Sequence, residues 1–150
     1  MKIRTDYVTN SSSSSFILGF KSEEDIDNIA SELPDYFSRS ATQRVVNDIK
    51  NGLMSKESAL EAYSDSIWEY DCYYEGMSYW NIPRAERQTP EYKKYYEEWK
   101  KNKVDEFSKE LDKYNTFSIV TYEDHSDFGS AMEHNIMPYV SANIHRISNH

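Results

Sequence analysis

All four histidines of this chain, His125, His134, His145 and His150, fall within its last 26 residues, and Asp124, Asp127 and Glu133 stand among them. Imidazole nitrogens and carboxylate oxygens are the ligand set of zinc, manganese and iron. Asp124, His125, Asp127, Glu133, His134 and His145 therefore form a candidate metal group. The spacing is not diagnostic: nine residues separate His125 from His134 and eleven separate His134 from His145, whereas two ligands on one helix face stand three or four apart. Asp127 and His134, seven apart, share a face if the helix between them is regular. With an ion bound, the natural use is hydrolysis, with Glu133 or Asp127 as general base toward a metal-activated water. The structural alternative is that Asp124 and His125 shape a turn, His134 lies on a solvated face, His145 packs or pairs with a carboxylate, and His150 frays at the terminus. No catalytic residue is assigned. No cofactor is required, and a divalent transition metal such as zinc is the alternative.

A second constellation is acidic. Glu57, Glu61, Asp65 and Glu69 recur every four residues, which on one helix makes a single stripe whose like-charge neighbours cost a few tenths of a kcal/mol each. A solvated face tolerates that cost. The stripe also suits a basic protein partner, or imitation of DNA by an inhibitor of a nucleic-acid-binding enzyme. Imitation is weakened by magnitude, because four-residue spacing gives about one charge per 6 Å against one per 3.4 Å along a DNA strand. Beside the stripe lie Trp68, Tyr70, Tyr73, Tyr74, Tyr79 and Trp80. Aromatic clusters are usually core, yet Trp and Tyr also dominate interface hot spots. Glu57, Glu61, Asp65, Glu69, Trp68 and Tyr73 are the candidate partner-binding residues.

The other chemistries lack support. Cys72 has no lysine or arginine within seven residues and sits among Glu69, Asp71 and Glu75, whose charge raises a thiol pKa and makes it a poor nucleophile. There is no nucleophile elbow, no phosphate-binding glycine loop and no dinucleotide fingerprint.

Five serines, Ser11 to Ser15, follow Asn10 and precede the apolar run Phe16-Ile17-Leu18-Gly19-Phe20. Polyserine usually reads as a linker, since hydroxyl side chains bury little apolar area. Here the flanks are strand-like, with Lys2 to Val8 alternating and Phe16 to Phe20 apolar, so a hairpin turning near Asn10 is expected. Its serines would supply N–H groups and hydroxyls able to cradle an anion. The opening block, Lys2-Ile3-Arg4, Asp6-Tyr7-Val8-Thr9-Asn10, the serines and Phe16, resembles that of a loose group of short bacterial and mobile-element proteins without assigned function. The ending Ile147-Ser148-Asn149-His150 is a fainter echo. The resemblance implies an ancestry and a bacterial or phage source, and carries over no ligand and no catalytic residue.

Composition sets the outer bounds. With 150 residues the chain suits one domain, 1–150. A mean hydropathy of −0.86 would suggest disorder, but aromatics at 15% supply large buried areas, so the chain is read as folded. One cysteine allows no internal disulfide, no secretory signal is evident, and the apolar runs fall well short of the ~20 residues of a membrane helix. Cytoplasmic location without membrane association is expected. A net charge of −9 argues against direct nucleic-acid binding and for basic partners, metal ions or simple solubility.

The elements that must position these groups can be read from caps and periodicity. Ser22 with Glu23, Glu24 and Asp25 starts a helix ending before Pro34. A second runs from near Ala41 to Gly52, with Val45, Val46 and Ile49 inward. Ser55 caps a third, predicted to carry Leu60, Tyr63, Ile67, Tyr70 and Tyr74 until Gly76. Thr89-Pro90-Glu91 opens the strongest helix, reaching to about Tyr114, with Glu97–Lys101 and Asp105–Lys109 as side-chain pairs. A strand at Thr116 to Tyr122, a helix at Ser126 to Asn135 and a strand at Tyr139 to Ser148 complete the chain. The last three form either a crossover or antiparallel strands with a helical excursion between them. The fold class is α+β, a small sheet of the N-terminal hairpin and two C-terminal strands covered by three to four helices. The favoured function is a non-enzymatic acidic interaction module of bacterial or mobile-element origin, an inhibitor or modulator of a basic partner. The alternative is a metal-binding protein or metal-dependent hydrolase.

Overall fold

The computed structural model describes residues 12–149. It is an α+β fold around a four-stranded sheet in the order β2-β3-β1-β4, where β1 is Ser13–Phe20, β2 Leu53–Met54, β3 Thr116–Glu123 and β4 Asn143–Asn149. The helices are α1 Arg39–Asn51, α2 Lys56–Ser66, α3 Arg84–Arg87, α4 Pro90–Leu111 and α5 Asp127–Ser130. A 3₁₀ helix, Glu23–Glu32, precedes α1.

Every strand pairing is antiparallel. β1 is central, with Ile17 opposite Ile119 on one side and His145 on the other. β3 and β4 therefore run parallel to each other with β1 between them, and the helical segment joining them is a crossover over one intervening strand. The first arm of the expected hairpin, Lys2 to Val8, lies outside the described residues. The stretch expected as its second arm is β1, opened by Ser13, Ser14 and Ser15. From Ser13 to Leu18 both edges of that strand are paired, with β3 and with β4, so the described strand leaves no edge there for a hairpin partner.

The chain divides into two compact units, residues up to Ala59 with those from Lys113 onward, and Leu60–Asp112. In the first, alternation along β1 sends Phe16, Leu18 and Phe20 to one sheet face. There they are buried with Val120 and Tyr122 of β3, Ile26 and Ile29, Val45, Val46 and Ile49 of α1, and Met132 and Met137. Ser38 caps α1 by accepting from the Ala41 N–H at 3.1 Å, so the helix begins at Arg39, ahead of the start expected near Ala41, and Gly52 closes it where the sequence pattern puts it.

In the second unit α4 is the main element, 22 residues and so about 33 Å long. Thr89 accepts from the Tyr92 N–H at 3.3 Å, and Tyr92, Phe107 and Leu111 are buried. Lys101 pairs with Asp105 at 3.6 Å, which uses both residues in place of the two pairs expected from spacing. The third predicted helix is shorter than its pattern. α2 stops at Ser66, where the Ser66 hydroxyl donates to the Tyr63 carbonyl at 2.6 Å and supplies a local partner that competes with further helix. A 3₁₀ turn, Glu69–Asp71, follows. Tyr74 and Met77 then exchange both backbone bonds at 2.9 Å across Glu75 and Gly76, whose φ values of 50° and 79° make a two-residue hairpin turn of the primed type.

Candidate functional site

Three of the six expected metal-group residues converge. Asp124 follows the last residue of β3, and Glu133 and His134 lie in a π-helical stretch, Ala131–Ile136, that continues α5. One ligand atom from each lies within 4.8 Å of the others. The Ser126 side chain accepts from the Gly129 N–H at 3.0 Å and starts α5. Gly129 lets that helix approach the strand end, because a Cβ there would stand 1.9 Å from the Glu123 carbonyl oxygen.

The other three are elsewhere. His145 is on β4 opposite Ile17, whereas Ser14, Phe16 and Arg146 project to the other face. One residue's displacement along a strand reverses the face, so His145 is turned from Glu133. Burial lowers its pKa. His125 pairs at 2.9 Å with Glu123, both exposed. Asp127 is exposed at the first position of α5. The face-sharing of Asp127 and His134 required a regular helix, and the π turn between them widens the repeat.

Partners that the histidine-centred reading missed complete the cluster. Glu133 is fully buried. The Ser14 hydroxyl donates to its Oε1 at 2.9 Å and accepts from Arg146 Nε at 3.0 Å, and Arg146 Nη2 lies 3.7 Å from the same carboxylate oxygen. Ser12 contributes its N–H to Asp124 Oδ1 at 3.1 Å. Its hydroxyl lies 2.7 Å from Asp124 Oδ2 and 3.1 Å from Glu133 Oε2. One hydroxyl carries one proton, so Ser12 cannot fully satisfy both carboxylates. His134 Nε2 is 3.5 Å from Glu133 Oε2. The Ser12 hydroxyl is the main cause holding Asp124 below the usual carboxylate range, opposed by desolvation and helped by the Ser12 N–H and by His134. Two carboxylates thus face one permanent cation, Arg146. The serine run was the available signal for these partners, since alternation from Phe16 puts Ser14 on the core face.

The partner-binding candidates divide as well. Glu57, Glu61 and Asp65 are exposed on α2. Glu69 leaves the stripe because the helix has ended, and it accepts from the Tyr92 hydroxyl at 3.0 Å. Trp68 and Tyr73 are 53% and 61% exposed. Trp68 joins a patch of four rings that all belong to the aromatic group read from the sequence, although of the four only Trp68 is among the partner-binding candidates. Its ring centroid is 5.6 Å from Tyr70, Tyr70 stacks on Trp80 at 4.9 Å, and Tyr79 meets both Tyr70 and Trp80 edge-on at 4.9 and 5.2 Å. Trp80 is 72% exposed. Tyr70 lies in the 3₁₀ turn Glu69–Asp71, with Trp68 just before it, and Tyr79 and Trp80 lie in a second 3₁₀ turn, Tyr79–Asn81.

Cys72 is buried, and burial first, then Glu69, pushes its thiol pKa up. No helix among the described residues is long and apolar enough to cross a membrane. No protein-family model, curated protein or solved structure matches this chain.

Proposed function

We propose that this chain is a non-enzymatic interaction module, of bacterial or mobile-element origin, which holds a basic protein segment against the aromatic patch of its second unit. The observation that carries the reading is the continuous set Trp68, Tyr70, Trp80, whose rings touch one another and remain 43% or more exposed. Apolar surface gathered in one place and left in water marks a contact site. Trp and Tyr faces attract arginine and lysine side chains. The exposed Glu61, Asp65, Asp71 and Glu75 nearby in sequence give such a partner complementary charge.

The test is titration of the protein with an arginine-rich peptide at physiological salt, followed by tryptophan fluorescence, for the native chain and for Trp80→Ala. The expected result is saturable binding that Trp80→Ala weakens about tenfold, as for an interface hot spot. Equal binding by the two proteins would refute the reading, since general acidity would then be sufficient.

A second reading has its own observation, the convergence of Asp124, Glu133 and His134. Their donor types suit zinc, although bonds of ~2.0–2.2 Å in a tetrahedral site require ligand atoms roughly 3.4 Å apart, so the group would have to close somewhat around an ion. Elemental analysis of untagged protein prepared without chelator tests it. Near-stoichiometric zinc, lost in His134→Ala and kept in His145→Ala, would establish a metal site.

A further inference from the structure

The second unit contains a cleft of about 550 Å³, in the size range of small-molecule sites. Three cations line it: Arg84 and Arg87 of α3, three apart, and Lys93 in the first turns of α4. Among the described residues none of the three is within ion-pairing distance of a carboxylate. Two acids share the lining, Glu69 and Glu97, but Glu69 is already engaged by the Tyr92 hydroxyl at 3.0 Å. The cleft is therefore net positive by one in a chain whose net charge is −9.

The second observation concerns Arg87. Its guanidinium lies over the Tyr79 ring, 4.3 Å from the centroid. Its Nε is buried and has no hydrogen-bond partner. Buried donors are almost always satisfied, so the orphaned Nε leaves the Arg87 fork without an acceptor from the chain itself. Guanidinium groups present donors in a fork that matches the oxygens of phosphate and carboxylate.

From these residues we infer that the cleft binds a small phosphate monoester, with its phosphoryl oxygens among Arg84, Arg87 and Lys93 and its organic part beside Tyr79 and Tyr96. Three cationic donor groups can engage the three terminal oxygens of a phosphate monoester, whereas a carboxylate offers only two. This site is separate from the peptide-binding reading. It shares only Tyr79 with the aromatic patch.

The test is calorimetric and NMR titration of the full chain with phenyl phosphate and, in parallel, benzoate, using the native protein, Arg84→Gln, Arg87→Gln and Lys93→Gln. Arg84 and Lys93 are exposed, so those two variants keep the fold even if Arg87→Gln does not. Saturable binding of phenyl phosphate, stronger than of benzoate and weakened about tenfold by Arg84→Gln and by Lys93→Gln, is the expected result. Absence of saturable binding, variants that bind like the native chain, or benzoate binding as tightly would each overturn the inference. Lys93→Gln should leave binding of the arginine-rich peptide unchanged, which separates failure of this site from failure of the patch.

Discussion

Replacing Ser14 by alanine probes the serine run where it does most. Ser14 is fully buried, and its hydroxyl stands between Glu133 Oε1 at 2.9 Å and Arg146 Nε at 3.0 Å. The substitution takes a donor from a fully buried carboxylate and an acceptor from a guanidinium, leaving Arg146 Nη2 at 3.7 Å as the remaining contact of Glu133 Oε1. A buried polar group deprived of its partner costs roughly 1–3 kcal/mol, more when charged. Charge on both deprived groups raises that cost and any closer approach of Arg146 to the carboxylate offsets it, so the net destabilisation is expected at about 1–3 kcal/mol. Ser15 is the internal control. Its hydroxyl meets Thr121 Oγ1 at 2.7 Å on the exposed side, and Ser15→Ala should cost no more than about 0.5 kcal/mol. Urea denaturation of the three proteins, comparing midpoints and slopes, measures both. Equal small losses for Ser14→Ala and Ser15→Ala would refute the reasoning, because the run would then be acting as a uniform polar segment and not as an alternating strand with one face in a charged network.

Three further outcomes are expected. Asp124 has a folded pKa below its ordinary 3.8, so its contribution is fully present above that value and is lost as pH falls below it. Thermal melts across the acid range should show a steeper loss of stability for the native chain than for Asp124→Asn. His145 also has a lowered pKa, through burial, so stability is expected to decline as pH falls below about 6.5, a decline that His145→Gln should reduce. Gly129→Ala places a Cβ against the Glu123 carbonyl, 1.9 Å away before any shift. The loss should exceed about 2 kcal/mol, read by thermal unfolding.

Helix starts were legible because each cap is a local contract between one side chain and N–H groups two or three residues on. Ser55, Thr89 and Ser126 all fill that role. Helix ends were less so. The four-residue acidic repeat continues through Glu69, but Ser66 satisfies a backbone carbonyl and the helix ends there. Periodicity records what a continued helix would present, not whether it continues.

The candidate metal group shows the same division at longer range. The types of Asp124, Glu133 and His134 and the alternation of Ser14 with Phe16 are properties of the chain read alone. So are the buried faces of α1 and α4, because 3.6-residue and two-residue periods reflect burial directly. Only the tertiary structure decided that Ser12 and Ser14 meet residues more than 110 positions away, that Arg146 joins them, and that His145 does not. Strand register and the π turn make those choices. Both depend on which strand lies beside which, a pairing that no local spacing encodes.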